Sequence, residues 1–221
     1  MSNPENQAKT RVVIVEDHPL FRAQLALLIN KEPDMAVCGE ADNIKEAMDL
    51  IQQTKPDAAV VDITLKGSSG LELIKNLKAQ SIGIPVLVLS MHDESLYAER
   101  VIRAGGKGYI TKDEASDQVM SAIRKVMNGE IYLSDSMTSR VLKNLSGKGT
   151  GMSSPMERLT DRELEVFQLI GKGKTAREIA ETLHLGLTTI DTYRARIKEK
   201  LNLKNATELV HEAAEWLRSV G

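Results

Sequence analysis

The chain has almost no cysteine and no long apolar segment, and these two absences limit what kind of protein it can be. The single cysteine, Cys38, excludes an internal disulfide and suits a reducing compartment. No apolar run approaches the roughly 18 residues that a membrane span needs. The N-terminal stretch Met1 to Arg11 is polar, unlike a signal peptide. We therefore expect a cytoplasmic protein with no membrane span or anchor.

The chain also has little excess charge of either sign. It contains 29 Lys and Arg residues against 31 Asp and Glu residues, which gives a net charge of −2 at pH 7. The overall charge therefore gives no indication of a nucleic-acid partner, and any such indication must come from local arrangement. A length of 221 residues allows one large domain or two small ones.

In the N-terminal part, short β-branched runs alternate with longer helical patterns. This alternation is typical of parallel β-α-β units. Because the strands are almost continuously apolar, both faces of their sheet must be covered. We predict a flavodoxin-like α/β domain over residues 9–130, with a five-stranded parallel sheet and helices on both faces. The predicted strands are 12–15, 35–38, 58–61, 86–89 and 108–110, and the predicted helices are 19–30, 44–53, 70–79, 94–104 and 115–128.

A segment rich in glycine and serine separates this part from the rest of the chain. Ser146 to Pro155 contains too little apolar surface to join a core, so we predict a linker over residues 131–156. The first half of that linker, residues 135–145, has the composition of one short helix.

Residues 157–221 contain no strand pattern and predict a small all-α domain of four helices. The first two helices begin with capping boxes, in which a threonine is followed three residues later by a glutamate. A glycine-containing turn at residues 184–186 then precedes a third helix that starts near Leu187. Two short helices joined by such a turn indicate a helix-turn-helix unit. The capping pairs are Thr160 with Glu163 and Thr175 with Glu178.

Polar side chains follow four of the five predicted strands of the first domain. Glu16 and Asp17 follow the first strand, Asp62 the third, Ser90 the fourth, and Lys112 lies just past the fifth. Ligands of open parallel sheets bind beyond the carboxyl ends of the strands. Three crowded carboxylates need a cation, and Mg²⁺ is the cation that prefers oxygen ligands. The pattern therefore predicts a magnesium site formed by the three acids.

The same cluster suits phosphoryl transfer, which needs an in-line nucleophile and positive charge around the phosphoryl oxygens. Asp62 can be the nucleophile and form an acyl phosphate, with Mg²⁺, Lys112 and Ser90 holding the three oxygens. Taken singly, these residues have simpler roles, because Glu16 and Asp17 could cap a helix and Lys112 could lie on the surface. Their joint position at the strand ends favours the phosphoryl site.

The third helix of the second domain carries a second candidate site. Ile190, Ile197 and Leu201 share one face and predict its buried side. The exposed side can enter a major groove, although such charges equally fit a solvated helix face. Residues 172–204 contain eight basic and four acidic residues, so positive charge is concentrated where phosphates would lie. The exposed face consists of Thr188, Thr192, Ala195 and Arg196, flanked by Asp191 and Lys198.

Four segments of the first domain resemble the receiver domain of response regulators. They are Val-Glu-Asp-His-Pro (15–19), residues 61–73, Leu-Ser (89–90) and Gly-Tyr-Ile-Thr-Lys (108–112). The resemblance implies that Asp62 is the phosphoacceptor and that the backbone carbonyl of Thr64 completes the metal site. It also implies that Ser90 and Tyr109 form a switch pair. Lys66 stands where the family usually has proline, which predicts an altered loop after Asp62.

The second domain resembles the LuxR-type helix-turn-helix, over residues 159–166, 175–180 and 188–201. A receiver followed by this module is the NarL/FixJ arrangement. The resemblance implies base contacts from Asp191, Thr192 and Ala195, and phosphate contacts from Lys174 and Thr175. It also implies dimerisation through the fourth helix, where Trp216 fits a core position equally well.

We therefore expect a transcriptional regulator rather than an enzyme, apart from self-phosphorylation and dephosphorylation at Asp62. The expected partners are a sensor histidine kinase, double-stranded promoter DNA and, after phosphorylation, a second copy of the chain. Phosphorylation would drive dimerisation or release of the DNA-binding domain.

Three other functions are weighed against this one. An aspartyl-phosphate phosphatase of the haloacid dehalogenase type needs a second aspartate where Thr64 stands. A ligand-gated quorum-sensing regulator needs an apolar pocket, and an orphan regulator does not need the complete acid, hydroxyl and lysine set.

Overall fold

The computed structural model describes residues 9–92, 94–139 and 155–220. They belong to two compact units, one within residues 1–141 and the other within residues 142–221. Residues 135–139 are helical, as expected for the start of the linker, whereas the predicted glycine- and serine-rich segment lies almost entirely outside the described residues. Across the described ranges, no helix is both long and apolar enough to cross a membrane.

The first unit contains a five-stranded, fully parallel sheet. Its strands are β1 (Thr10–Val15), β2 (Met35–Ala41), β3 (Ala58–Asp62), β4 (Val86–Ser90) and β5 (Gly108–Thr111). Their spatial order is β2-β1-β3-β4-β5, which confirms the flavodoxin-like topology. β2 continues three residues beyond its predicted end because residues 39–41 pair with β1. Those residues include Gly39 and Glu40, so their composition does not mark them as strand.

Helices cover both faces of this sheet. They are α1 (Pro19–Lys31), α2 (Ile44–Thr54), α3 (Gly70–Ala79), α4 (Glu94–Ala104) and α5 (Ala115–Met127). On one face, Val12 and Ile14 of β1 lie in a buried cluster with Ile29 of α1 and Ile123 of α5. The alternate residue Val13 is equally buried, and α2, α3 and α4 contact one another in that order, so they cover the opposite face.

The described part of the second unit contains four helices behind a short 3₁₀ turn at Pro155–Arg158. Both predicted capping boxes form, at Thr160 and at Thr175, which explains where the first two helices begin. A small core joins the helices, and the rings of Phe167 and Trp216 lie 5.5 Å apart within it. The helices are α6 (Asp161–Gly171), α7 (Ala176–Thr182), α8 (Leu187–Leu201) and α9 (Ala206–Val220).

The predicted apolar stripe of α9 is mostly part of that core. Leu209 and Ala213 are fully buried, whereas Trp216 and Leu217 are half-buried. The stripe is therefore mainly a core feature, and only Trp216 and Leu217 at its end expose surface that a dimer contact could use.

A tight connection links the end of β3 to the start of α3. The chain forms a two-stranded hairpin, Thr64–Leu65 with Ser68–Ser69, and Ser69 then caps α3. The backbone N–H of Gly70 donates to the carbonyl of Ile63 at 2.7 Å. A Cβ atom on Gly70 would lie 2.0 Å from the backbone oxygen of Asp62, so only glycine fits here. The position of Asp62 therefore depends on this close backbone approach.

Gly70→Ala is expected to lower the free energy of unfolding by about 1–3 kcal/mol, because the added methyl group forces β3 and α3 apart. Urea denaturation followed by circular dichroism measures this difference. Gly83→Ala is the matched control, because a Cβ atom there meets nothing within 4 Å. Equal stability of the two variants would contradict the close-approach interpretation.

Candidate functional site

The carboxyl ends of three strands bring the predicted acid cluster together. Glu16 and Asp17 follow β1, Asp62 ends β3, and Lys112 follows β5, where its N–H donates to the Ser90 carbonyl at 2.8 Å. Asp62 is paired in register with Leu89 of β4, so Ser90 lies one residue further along the neighbouring strand. Glu16, Asp17, Asp62 and Ser90 are all at most 5% exposed. Asp62 and Ser90 are therefore strand residues, and Glu16, Asp17 and Lys112 follow directly on strand ends.

Lys112 supplies the positive charge of the cluster. Its Nζ atom lies 2.7 Å from Glu16 Oε2 and 2.7 Å from Asp62 Oδ2, and its side chain is only 6% exposed. The same ammonium lies 4.7 Å from the centre of the Phe21 ring. Burial alone would lower the pKa of Lys112, but the carboxylates of Asp62 and Glu16 raise it above its ordinary value. Lys112 therefore remains a cation at neutral pH.

One ammonium does not neutralise Asp62 and its acidic neighbours. Burial and the neighbouring Glu16 carboxylate raise the pKa of Asp62 to about 7, although Lys112 and the Thr64 N–H oppose this shift. The Thr64 N–H donates to Asp62 Oδ1 at 3.2 Å. Without further positive charge, Asp62 is therefore only partly ionised at neutral pH.

One buried oxygen of Asp17 bears on whether the acid cluster fits a metal ion. Its buried Oδ1 accepts no hydrogen bond from any described residue, although His18 Nδ1 lies 2.9 Å away. One possible ligand atom each from Glu16, Asp17, His18 and Asp62 lies within 4.8 Å of the others. Three carboxylates and one ammonium leave two negative charges, which a divalent cation would balance. The donor set therefore fits a metal ion that binds oxygen ligands.

Ser90 and Tyr109 meet at a residue that the sequence interpretation did not include. Ser90 Oγ accepts the N–H of His92 at 3.1 Å, and the Tyr109 hydroxyl donates to the His92 carbonyl at 2.7 Å. His92 Nε2 lies 3.1 Å from Thr64 Oγ1, and the centre of the His92 ring lies 4.8 Å from that of the Tyr97 ring. His92 therefore connects both residues of the predicted switch pair to the loop after Asp62.

Two other contacts of the site were also missed by the sequence interpretation. His18 contacts the carboxylates of Glu16 and Asp17, and Phe21 covers Lys112. His18 lies in the segment 15–19 that resembles the receiver domain, directly after Glu16 and Asp17, so the sequence could have predicted its contact with these acids. Phe21 lies in a helical pattern that gives no such signal.

The hairpin after Asp62 contains Lys66, which stands where receiver domains usually have proline. Lys66 Nζ lies 3.6 Å from Asp42 Oδ2, and both side chains are substantially exposed. Lys66 is thus directed to a neighbouring loop, and an exposed pair of this kind contributes little to stability.

In the second unit, α8 has the two faces that its sequence predicts. Ile190 and Ile197 are fully buried, and Leu201 is half-buried. The hydroxyl of Thr192 donates to the Thr188 carbonyl at 2.8 Å, so its donor is already used within the helix. The predicted contact residues Thr188, Asp191, Thr192, Ala195 and Arg196 are exposed, and Lys198 is half-buried.

The start of α7 holds Lys174 and Thr175 at an exposed helix N-terminus. The N–H of Thr175 donates to Glu178 Oε2 at 2.8 Å, and Lys174 Nζ lies 3.3 Å from Glu178 Oε1. Hydrogen bonds from Thr175, together with Lys174, lower the pKa of Glu178 to about 2. The capping carboxylate of Glu178 therefore engages both the Thr175 N–H and the exposed Lys174 ammonium.

Comparison with known families identifies both units. The family model of the response regulator receiver domain matches residues 12–124. The model of the bacterial regulatory proteins of the luxR family matches residues 157–213.

Individual relatives match over nearly their whole length. The chain is 33% identical to the oxygen regulatory protein NreC of Staphylococcus carnosus over 208 residues, which cover 92% of this chain and 96% of NreC. It is 35% identical to the transcriptional regulatory protein DesR of Bacillus subtilis over 210 residues, covering 94% and 98% of the two chains. Among solved structures, it resembles RcsB from Salmonella enterica serovar Typhimurium bound to promoter rprA in the presence of phosphomimetic BeF3−. That match has a TM-score of 0.60 at 22% identity and covers 93% of this chain and 98% of RcsB.

Asp62→Asn is expected to stabilise the metal-free protein at alkaline pH. Because the pKa of Asp62 is raised from 3.8 to about 7, the folded state keeps a proton that the unfolded state releases. Wild-type stability therefore falls as the pH rises between these values, whereas asparagine cannot ionise. Urea unfolding in the presence of a chelator should show a gain of about 1–4 kcal/mol at pH 8 and a much smaller one at pH 4. The same gain at both pH values would contradict the raised pKa.

Proposed function

Because the chain belongs to the NarL/FixJ response regulators of two-component systems, with a receiver domain and a LuxR-type DNA-binding domain, we propose that phosphorylation of Asp62 controls its binding to promoter DNA. As a response regulator it is not an enzyme in the usual sense. The observation that carries the proposal is the buried Asp62 carboxylate, which pairs with Lys112 and lies close to the carboxylates of Glu16 and Asp17 at one end of the sheet.

The proposed chemistry is the transfer of one phosphoryl group from the phosphohistidine of a sensor kinase. An oxygen of Asp62 attacks phosphorus, the P–N bond breaks, and an acyl phosphate forms at Asp62. Lys112 stays beside the new anionic group, and the hydroxyl of Ser90 is the donor for another of its oxygens. Hydrolysis of the acyl phosphate would reset the site.

We propose Mg²⁺ as the cation of this site. Glu16, Asp17, Asp62 and the backbone carbonyl of Thr64 would hold it, and the unsatisfied Oδ1 of Asp17 supports this assignment. When bound, Mg²⁺ supplies the two positive charges that the carboxylates lack and polarises the phosphoryl oxygens.

His92 would transmit a structural change from the phosphoryl group to the surface of the receiver. If the Ser90 hydroxyl turns to a phosphoryl oxygen, its contact with the His92 N–H changes, and His92 also accepts the hydrogen bond from Tyr109. The buried Ser90 and Tyr109 can therefore report the state of Asp62 to the end of β4 and the start of α4. The resulting shift between two receiver states is the proposed switch.

The proposed output is a homodimer on double-stranded promoter DNA. A twofold dimer would place two copies of α8 in successive major grooves, about one helical turn apart. Thr188, Asp191, Thr192, Ala195 and Arg196 would face the bases, and Lys174, Thr175 and Lys198 would lie near phosphates. RcsB bound to a promoter together with a phosphomimetic is a structural precedent for this combination in a protein of the same fold.

Incubation of the full-length chain with acetyl phosphate and Mg²⁺ is expected to add the mass of one phosphoryl group. Asp62→Asn lacks the nucleophile and should gain nothing, and chelation of the metal should also prevent the gain. Intact-mass spectrometry measures the product. Analytical ultracentrifugation of the same samples should show a shift from monomer to dimer that depends on the modification.

Two results would contradict this proposal. One is a phosphorylated Asp62→Asn variant, which would place the acceptor elsewhere. The other is the absence of any mass gain under conditions in which another receiver is labelled, which would favour an orphan regulator that binds DNA without phosphorylation.

Lys174→Ala is expected to weaken binding to all duplexes by a similar factor, because a phosphate contact carries no sequence information. The slope of log K against log salt concentration should become less negative by about one. Fluorescence anisotropy at several salt concentrations measures both effects. Lys45→Ala, which removes an exposed charge from α2 of the receiver, is the matched control. An equal slope for wild type and Lys174→Ala would exclude this contact.

A further inference from the structure

The exposed face of α8 contains an acidic residue where the surrounding charge is positive. Asp191 is exposed, and Arg194 and Arg196 follow it within the next two turns of the helix. Across the described part of the chain, no hydrogen bond or ion pair engages its side chain. A carboxylate in this position therefore needs an explanation other than a local salt bridge.

Stabilisation of α8 itself does not explain Asp191. Negative charge favours a helix only near its N-terminus, and the first turn of α8 contains no acidic residue. Asp191 is the fifth residue of the helix, beyond the turn whose N–H groups are unpaired. The carboxylate therefore gains little from the helix dipole and caps no backbone group.

The electrostatics of DNA binding restrict what Asp191 can face. Against a phosphate, a carboxylate would repel the ligand and lose affinity. Against a base edge, it gains only where the base presents a hydrogen-bond donor. In the major groove these donors are the exocyclic amino groups of cytosine and adenine, whereas guanine and thymine present acceptors.

The neighbours of Asp191 allow such a close approach. Thr188 and Ala195 lie on the same face, one turn before and one turn after Asp191, and both have short side chains. Thr192 has its hydroxyl donor engaged with the Thr188 carbonyl, so it does not compete as a donor for base acceptors. The side chains beside Asp191 at positions 188, 192 and 195 are therefore short enough to let the aspartate approach a base, and the longer Arg194, one turn further along, is half-buried.

We infer that Asp191 determines DNA specificity by accepting a hydrogen bond from an exocyclic amino group in the major groove. This inference rests on the proposed function and adds the chemistry of the base that is selected. Cytosine N4 is the favoured source, because adenine presents its N7 acceptor beside the amino group and would repel the second carboxylate oxygen. Each half-site is thus defined by a C·G pair in a fixed orientation at the position that faces Asp191.

The test selects binding sites from duplexes randomised over about two helical turns, using the full-length chain phosphorylated with acetyl phosphate and Mg²⁺. Dissociation constants are then measured for the selected duplex and for each single base-pair replacement. Wild type should select cytosine at one position of each half-site, and replacing it by thymine should weaken binding about tenfold. Asp191→Ala should bind these two duplexes within about twofold of each other.

Glu199→Ala is the matched control, because Glu199 is another exposed acid on α8 and its removal changes the charge equally. This variant should keep the wild-type base preference. Selection of adenine by wild type, lost in Asp191→Ala, would identify adenine N6 as the amino group and still support the inference.

Two outcomes overturn the inference. If Asp191→Ala binds every duplex more tightly but retains each wild-type preference, Asp191 only repels phosphates. The proposed DNA-binding function would still stand after that result. If phosphorylated wild type binds no duplex at any salt concentration, the proposed function fails and the inference fails with it.

Discussion

Lys112 forms ion pairs with Glu16 and Asp62 at a buried edge of the sheet. It is one positive charge beside three carboxylates, and the rest of the receiver site depends on this imbalance. Removing carboxylates from water is unfavourable unless opposite charge compensates them. One ammonium is insufficient here, as the raised pKa of Asp62 and the unsatisfied oxygen of Asp17 both indicate. A divalent cation would supply the missing charge, and an incoming phosphoryl group would change the balance again. Because Lys112 only partly compensates the negative charge of the carboxylates, the electrostatic balance of the site would respond to a bound cation or phosphoryl group.

The backbone around Asp62 fixes the positions of the groups that surround its carboxylate. The register of β3 against β4 places Ser90 one residue beyond the partner of Asp62, and the close approach of Gly70 fixes the loop that follows Asp62. Thr64 and His92 then join this loop to the end of β4. The strand register and the close approach of Gly70 are set by the backbone, whereas Thr64 and His92 meet through their side chains.

The DNA-binding unit is stabilised by helix caps and a small apolar core. Its first two helices begin with capping boxes, and its described helices pack around a small apolar core. Positive charge is concentrated around α8 and the start of α7, while the chain as a whole is slightly acidic. The exposed face of α8 carries short side chains with the acidic Asp191 among them, so this surface is not uniformly basic.

The sequence by itself determined the order of strands and helices, the helix starts at Thr160 and Thr175, and the family, because apolar periodicity and local motifs carry this information. It also indicated that Glu16, Asp17, Asp62 and Lys112 share one edge, since parallel strands end together. Only the tertiary structure decided which atoms meet. The contacts of His92 and Phe21, and the Asp17 oxygen that accepts no hydrogen bond among the described residues, arise between segments far apart in the chain or from side-chain directions. The extension of β2 likewise depends on pairing with β1, which no local composition encodes.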